Sequence, residues 1–505
     1  MCLDISKIKE MYLPGYILPQ FNIEEMIKKT KKAPAWLHMG AGNMFRIFMG
    51  SILQELLDLG AYDRGVIVYE AYDDEIIEKV LTPNANLTIG ASLYTEGSVE
   101  KQIIASIADA FCKDAKRLIN IAAEPSLQLV SFAITEKGYT VKPQTVAKSP
   151  GEAVTSIELI TAGLMMRMEH KTPLALVSLD NFSKNGSVLK KSIKTVAEVW
   201  LASGHAAGTF LEYLESLSYP WTMVDKITPR PSEVVKEILV DDGFLGIEIT
   251  ETSKNTYVAP FVNAESSQYL VMEDDFPNSR PPFEKVGVYM TDKETVHKME
   301  QMKVCVCLNP LHTSLAISGM LLKKPTIAEC MKDKSLVGFI SKIASEAMPT
   351  VVNPGIIEPA KFLNEVITER FPNPYIPDTP ARIACDSSQK IPIRFGIALK
   401  ELKAKGLLDN LEAIPLFIAL WLRYRTGLDD WGERIALSPD PGVPKSVAAL
   451  EGLPLGSSAE LTEILKDKNL FGVDLYEEKL AAKIETLFAK LMSEKGTVAR
   501  KLAEF

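Results

Sequence analysis

The sequence has few histidines and no paired arrangement of cysteines. Five histidines occur among 505 residues, and the six cysteines are scattered apart from one C-x-C. No second cysteine pair and no nearby histidine cluster completes a zinc site. We therefore expect no metal site and no structural disulfide, with small apolar thiols kept in a reducing compartment. The cysteines are Cys2, Cys112, Cys305, Cys307, Cys330 and Cys385.

An excess of positive charge and a long apolar run are also missing. The formal net charge is -9, which gives no electrostatic reason to bind nucleic acid or an anionic membrane surface. The longest apolar runs, such as LHTSLAISGMLL, are shorter than a membrane span and end in Lys323 and Lys324. The N-terminal MCLDISKIKEMYLPGY carries charges where a signal peptide is apolar. These absences predict a cytoplasmic protein without nucleic-acid or membrane partners.

The length of the chain predicts two domains, because 505 residues exceed what one compact core accommodates. In the first half, short apolar runs (WLHMG, GVIVYEAY, LQLVSFAI, PLALVSLDN) alternate with segments of helical spacing. This alternation indicates an α/β fold with a parallel sheet wrapped by helices. The proline-rich DDFPNSRPPFEKVG, residues 274–287, suggests a domain boundary, and most later segments have helical spacing.

A glycine-rich turn follows the first predicted strand, in HMGAGNMFR. Gly40 and Gly42 form a G-x-G between a strand and a helix, where glycine permits a tight turn and lets backbone N–H groups approach a pyrophosphate. Phe45 stands where the third glycine of the fingerprint would fall, so a plain strand-to-helix turn is the alternative. The predicted cofactor contacts are Gly40, Ala41, Gly42, Asn43, Met44 and Glu70.

Glu70 ends the next strand, GVIVYE, 28 positions after Gly42. A carboxylate there accepts hydrogen bonds from the adenosine ribose hydroxyls and repels a 2′-phosphate, which predicts NAD rather than NADP. Asp73 and Asp74 are alternatives for this contact. We predict a Rossmann-like NAD-binding domain over residues 1–280 and a mainly α-helical substrate and catalytic domain over residues 281–505.

The stretch KVCVCLNPLHTSL places Lys303, Asn309 and His312 in an otherwise apolar run. Buried polar groups need partners, so these side chains either satisfy one another or face a substrate. Taken alone, Lys303 is typical of a helix C-terminus and His312 of a core histidine.

Several further motifs carry a resemblance to a known family. TEKGY, SLDNFSKNG, MVDKITP and RIACDSSQKIP occur in order with GAGNMFR and LNPLHTSL. Over nearly the whole chain, these motifs resemble the polyol-specific long-chain dehydrogenase and reductase family, also called the mannitol dehydrogenase family. The resemblance implies NAD-dependent, metal-independent hydride transfer at a secondary alcohol of a polyol or sugar acid. LNPLHT, SKNTYVAPFVNAE and RFPNPYIPD are most similar to members acting on hexuronates, which implies interconversion of D-fructuronate and D-mannonate, with D-tagaturonate and D-fructose as alternatives.

The resemblance also implies roles for single residues. Lys303 matches the general base. Five residues separate it from Asn309 where the family commonly has four, so we expect a bulge. The other implied roles are oxyanion contacts for Asn181 and Asn309, substrate orientation for His312, proton relay for Glu300, and substrate binding for Asp225, Arg382 and Lys390. Candidates for a substrate carboxylate are Arg382, Lys390, Lys184 and Arg230.

Two alternatives stay open at this point. YMTDK supplies Tyr289 and Lys293 at the Tyr-x-x-x-Lys spacing of short-chain dehydrogenases. A non-catalytic sensor of sugar acids or nucleotides is the second, although a sensor would be expected to have lost Lys303 or His312. The sequence does not indicate an oligomeric state.

Overall fold

The computed structural model describes residues 3–5 and 13–505, so Cys2 lies outside the described residues. The chain divides into two compact units, Met1–His297 and Lys298–Phe505. The division lies within the helix Lys293–Gln301, whereas the sequence suggested a boundary after residue 280. Residues between these two positions pack within the first unit: Tyr289–Thr291 pairs with Tyr269–Glu273, and the Phe283 ring meets Trp36 edge-on at 5.5 Å.

The core of the first unit is a five-stranded parallel sheet. Its strands are short and apolar because helices cover both faces, as the sequence predicted. Leu37, Val130, Phe132 and Leu176 from the sheet pack against Ile160 and other helix residues in one buried cluster. The strand order is Ile107–Cys112, Val66–Glu70, Trp36–Met39, Leu129–Phe132 and Ala175–Ser178.

Three smaller sheets complete the strands of this unit. A four-stranded sheet has the order Tyr16–Ile17, Val99–Ile104, Thr88–Leu93 and Phe261–Glu265. A three-stranded sheet has the order Tyr289–Thr291, Tyr269–Glu273 and Thr222–Asp225. A two-stranded sheet pairs Thr250–Glu251 with Tyr257–Val258.

Several helices of the first unit begin at a residue whose side chain caps them. Before Ser156–Arg167, the Thr155 hydroxyl accepts from the Glu158 N–H, and the Glu158 carboxylate accepts from the Thr155 N–H, forming a capping box. The α-helices are Ile23–Lys32, Gly50–Asp58, Ala115–Ala123, Thr135–Gly138, Ser156–Arg167, Asn185–Ala202, Gly208–Glu215, Glu233–Asp241 and Lys293–Gln301. π-Helices span Phe45–Met49 and Ile76–Leu81, and 3-10 helices span Thr82–Asn84, Pro143–Thr145, Pro150–Glu152, Met168–His170 and Phe283–Val286.

The second unit is built from helices around the buried helix Ala413–Arg425. The Glu346 carboxylate accepts hydrogen bonds from the N–H groups of Ala413 and Ile414, both at 2.9 Å, and so satisfies the start of that helix. The other α-helices are Asn309–Leu321, Ile327–Met331, Lys334–Ala347, Pro359–Glu365, Pro380–Ala384, Ser387–Ile391, Ile397–Ala404, Lys445–Ala448, Thr462–Leu465, Lys468–Phe471, Ala481–Ser493 and Thr497–Leu502. π-Helices span Met302–Cys307, Val366–Arg370 and Pro392–Gly396, and 3-10 helices span Met348–Thr350 and Leu408–Asn410.

One helical run among the described residues, Lys293–Leu321, meets the length and composition of a membrane span. Its most apolar stretch is 78% buried inside the protein, as in a core helix, so it is weak support for a span. The five described cysteines are free thiols. In the described ranges, no group of three or more His, Cys, Asp or Glu side chains is arranged to hold a metal ion.

Candidate active site

The glycine turn after the strand Trp36–Met39 gives each glycine a different function. Gly40 has φ +108° and donates its N–H to the Tyr69 carbonyl at 2.8 Å. A Cβ on Gly40 would lie 2.4 Å from the Ala133 carbonyl oxygen, so the fold itself requires glycine there. A Cβ on Gly42 would meet nothing within 4 Å. Gly42 therefore leaves open space in which a pyrophosphate would fit against the backbone.

The helix that follows has an aromatic residue in place of the third glycine. Phe45 is 1% exposed, and its ring stacks on His38 of the adjacent strand. The ring fills the space between helix and strand that a glycine would leave for closer packing. Asn43 and Met44 form the first turn of this helix, and the Asn43 carboxamide oxygen accepts from Arg46 Nη2 at 2.7 Å.

The carboxylate of Glu70 lies beside the glycine turn. Its Oε2 accepts from the Ala41 N–H at 2.7 Å, and its Oε1 accepts from the Tyr72 N–H at 2.8 Å. Asp73 is buried and accepts hydrogen bonds from the Thr252 and Thr256 hydroxyls.

Asp74, the other alternative, forms an ion pair with Lys113. Among the three carboxylates considered from the sequence, Glu70 is therefore the one next to the open space at Gly42. Gly40, Ala41, Gly42, Asn43, Met44 and Glu70 come together as a set that fits a dinucleotide.

Replacing Glu70 by alanine is expected to weaken NAD binding by about tenfold or more and to relax discrimination against NADP, because hydrogen bonds to a charged group contribute about 1.5–3 kcal/mol. The measurement is the ratio of the NADP and NAD dissociation constants, which general loosening of the turn leaves unchanged. Asp74→Ala is the matched control. An unchanged ratio in Glu70→Ala would move the ribose contact to Asp73 or Asp74.

Asn181 lies just beyond the strand Ala175–Ser178 and is exposed. In the described part of the chain, no hydrogen bond engages its carboxamide. Asn181 does not cap the next helix, because Lys184 is the N-cap of that helix. Asn185 supplies the hydrogen bonds inside the fold, including one to the Thr222 hydroxyl at 2.8 Å. The Asn181 carboxamide is therefore available to a ligand.

The loop carrying Asn181 is fixed by its neighbour Asp180, which sequence reasoning missed. The Asp180 carboxylate accepts from the Tyr139 hydroxyl at 2.7 Å and from the Ile134 N–H at 2.8 Å. The Ser178 hydroxyl in turn donates to the Tyr139 oxygen at 2.9 Å. Through these hydrogen bonds Tyr139 of the TEKGY motif holds the SLDN motif in place. Asp225, also in the first unit, is 4% exposed at the end of the strand Thr222–Asp225.

Lys303 lies in a π-helix, Met302–Cys307, and is 3% exposed. The Leu308 N–H donates to the Lys303 carbonyl at 3.1 Å, the i→i+5 bond of a π-turn. A π-turn takes one more residue than an α-turn, so the extra residue before Asn309 is accommodated as a bulge within a helix. Cys305 and Cys307 are therefore helical; burial raises the pKa of the Cys305 thiol to about 11 and that of Cys307 to about 12, which keeps both thiols neutral. Glu300 is partly exposed in the helix Lys293–Gln301.

Asn309 and His312 lie in the first turn of the helix Asn309–Leu321. The Asn309 carbonyl accepts from the Thr313 hydroxyl at 2.9 Å. Its side-chain carboxamide makes no hydrogen bond within residues 3–5 and 13–505. Asn309 thus holds the helix with its backbone and leaves its side chain available.

His312 belongs to a hydrogen-bonded group of three side chains. Its Nε2 lies 2.8 Å from Asp378 Oδ2, and its ring stacks on Phe371. Arg382 donates to the other oxygen of Asp378 from Nε at 2.9 Å and from Nη2 at 2.6 Å. Asp378 is 6% exposed.

The protonation of this group follows from its surroundings. Burial holds the pKa of His312 below its usual value, although Asp378 acts in the opposite direction. Burial alone would raise the pKa of Asp378, but the hydrogen bonds from His312 and Arg382 outweigh it and hold that pKa below its usual value. A neutral imidazole that donates from Nε2 to a carboxylate keeps Nδ1 as an acceptor.

Two more cations lie near this group. Lys390 Nζ donates to the Ile383 carbonyl at 3.0 Å, and burial lowers its pKa, with Arg394 contributing in the same direction. Sequence reasoning missed Asp378 and Arg394. Their positions, four residues before Arg382 and four after Lys390, are the helical spacing that could have indicated them.

The short-chain alternative is not supported. Tyr289 lies in a strand and Lys293 begins a helix, so the pair does not share one helical face. Lys293 Nζ lies 4.7 Å from the Trp221 ring centroid and 3.9 Å from a Glu273 oxygen.

The parallel sheet with its glycine turn and carboxylate, together with the helical unit, defines a Rossmann-type dehydrogenase. The family model of the mannitol dehydrogenase Rossmann domain matches residues 34–285, and that of the mannitol dehydrogenase C-terminal domain matches residues 295–492. The D-mannonate oxidoreductase of Thermotoga maritima is 46% identical over 511 residues, covering 96% of this chain and 95% of the relative. The mannitol 2-dehydrogenase of Cereibacter sphaeroides is 28% identical, covering 79% and 82%.

Solved structures have the same fold. A D-sorbitol dehydrogenase in substrate-free form superposes with a TM-score of 0.82 at 21% identity, covering 99% of both chains. The Pseudomonas fluorescens mannitol 2-dehydrogenase, in a ternary complex with NAD and D-mannitol, gives a TM-score of 0.74 at 24% identity, covering 100% of this chain and 99% of the other. The chain belongs to the mannitol dehydrogenase family. It is an NAD-dependent oxidoreductase that acts on a secondary alcohol, as the sequence predicted.

Proposed function

We propose that this enzyme catalyses the reversible, NADH-dependent reduction of D-fructuronate to D-mannonate without a metal ion. The observation that carries this proposal is the 46% identity to a D-mannonate oxidoreductase along 96% of the chain, against 28% to a mannitol 2-dehydrogenase. The positive charge of Arg382, Lys390 and Arg394 near His312 supports it, because a hexuronate carries a carboxylate.

The cofactor would be held by the glycine turn and Glu70. NAD(H) supplies the hydride acceptor or donor when bound. Gly42 leaves room for the pyrophosphate, and Glu70 accepts from ribose hydroxyls in addition to holding the Ala41 N–H.

Lys303 is the proposed general acid and base. In reduction its ammonium gives a proton to the carbonyl oxygen as the carbon becomes a carbinol; in oxidation the neutral amine takes the hydroxyl proton. Glu300, three residues earlier, would exchange that proton with solvent. The carboxamide of Asn309 would donate a hydrogen bond to the substrate oxygen, and it makes no other hydrogen bond among the described residues.

His312 would orient the substrate. Donation from Nε2 to Asp378 fixes the tautomer, so Nδ1 accepts a hydrogen bond from a substrate hydroxyl. Asp225 would accept from a second hydroxyl, while Arg382 and Lys390 contribute positive charge.

The test is kcat/KM for D-fructuronate, D-tagaturonate and D-fructose under one set of conditions, followed by NADH absorbance. We expect fructuronate to be preferred. A preference for fructose or tagaturonate would contradict the assigned substrate while leaving hydride transfer in place. If the enzyme oxidises no NADH with any of the three substrates, the proposal is contradicted and a sugar-acid sensor is favoured.

A further inference from the structure

Arg394 is an arginine of intermediate exposure beside the turn that carries Asn309 and His312. It lies in the π-helix Pro392–Gly396. Its Nη1 donates to the Thr313 hydroxyl and lies 3.5 Å from the Asn309 carbonyl oxygen. Both acceptors are neutral, so the guanidinium has no countercharge from them.

No carboxylate of residues 3–5 and 13–505 lies within ion-pair distance of Arg394. The carboxylate of Asp378, the acidic residue in this region, is already bound by His312 and Arg382. Burial lowers the pKa of Arg394 to about 10, as expected for a cation removed from water without an anion. A partly buried cation without a countercharge favours an incoming anion.

Two fully buried arginines, Arg167 and Arg423, are satisfied by several oxygen acceptors, whereas the buried Arg46 and Arg425 each leave Nε without an acceptor among the described residues. Arg167 donates to the carbonyls of Thr172, Glu124, Leu127 and Pro173. Arg423 donates to the carbonyls of Leu491, Leu428 and Asp429 and to the Thr426 hydroxyl. Arg394 uses Nη1 alone, which leaves Nε and Nη2 without an acceptor in the described part of the chain.

We propose that Arg394 binds the substrate carboxylate and sets the preference for a sugar acid over a neutral sugar. The inference rests on the proposed function and names the group that recognises the acid. Nε and Nη2 form the edge of a guanidinium that holds a carboxylate through two parallel hydrogen bonds. Arg382 is less suited, because Nε and Nη2 are already bound to Asp378 and its side chain is 62% exposed. Arg230 lies over the Tyr257 ring at 4.5 Å, and Lys184 is an exposed point charge.

The test is steady-state kinetics of Arg394→Met and Arg394→Lys with D-fructuronate. A contact with a non-reacting carboxylate binds ground state and transition state alike, so its loss raises KM with little change in kcat. We expect KM to rise about thirtyfold in Arg394→Met with kcat within about threefold of wild type, and a smaller rise in Arg394→Lys, which keeps the charge but not the two-bond geometry. Arg434→Met, at an exposed position, is the matched control.

The outcomes separate this inference from the function on which it rests. An unchanged KM, or a fall in kcat of the same size as the rise in KM, would overturn the role of Arg394 and assign it to positioning the turn of Asn309. If Arg394→Met does not fold, as judged by its Tm, the KM of Arg394→Lys decides in the same way. Failure of the wild-type enzyme to use fructuronate would instead overturn the proposed function.

Discussion

Replacing Lys303 by alanine is expected to lower kcat by a factor of about one hundred or more and to leave NAD affinity nearly unchanged. General acid and base catalysis contributes on that order. Lys303 is 3% exposed in its π-helix. NAD affinity should not depend on it, because the proposed cofactor contacts are the glycine turn and Glu70. The measurements are kcat in both directions and the NAD dissociation constant from protein fluorescence.

Lys332→Ala is the control for this prediction, because its ammonium is exposed and paired with Glu329 on the surface. Added primary amines should partly restore turnover to Lys303→Ala but not change the control. Near-wild-type turnover in Lys303→Ala would mean that Lys303 is not the base, and that the additional residue before Asn309 led to the wrong assignment.

Replacing Asn309 by alanine is expected to lower kcat/KM by about 10²–10³-fold, the usual loss when one donor to a developing oxyanion is removed. The fold should tolerate the change, since Thr313 and Arg394 contact the Asn309 carbonyl rather than its side chain. The measurement is kcat/KM together with Tm.

Asn364→Ala is the matched control for Asn309→Ala. Asn364 is also helical, its carbonyl also accepts from a threonine hydroxyl four residues later, and its side chain is exposed. Loss of activity in Asn309→Ala smaller than about fivefold, at unchanged Tm, would remove Asn309 from the oxyanion contact.

Features set by local spacing could be predicted from the sequence. Four strands of the parallel sheet, the glycine turn and the position of Glu70 follow from short apolar runs and from Gly40. The fifth strand, Ile107–Cys112, was missed because Asp109 interrupts its apolar pattern. The π-helical form of the bulge was also missed, because VCVCL has the alternation and β-branched residues of a strand and only the surrounding helices make it helical.

Features that depend on distant residues could not be predicted. Asp378 lies 66 positions after His312, and Arg394 lies 81 positions after Thr313. The spacing from Arg382 and Lys390 can indicate Asp378 and Arg394, but their contacts with His312 and Thr313 cannot be identified until the fold brings these residues together. For the same reason, the sequence left Arg382 as a candidate for a substrate carboxylate, whereas the structure shows its guanidinium bound to Asp378.

The most direct test of the central claim is to follow the hydride. The enzyme is incubated with D-fructuronate and NADH that carries deuterium at the transferred position, and the product is identified by NMR. The account predicts D-mannonate with one deuterium on the carbon that was the ketone. No oxidation of NADH, or a deuterated product other than mannonate, would contradict it.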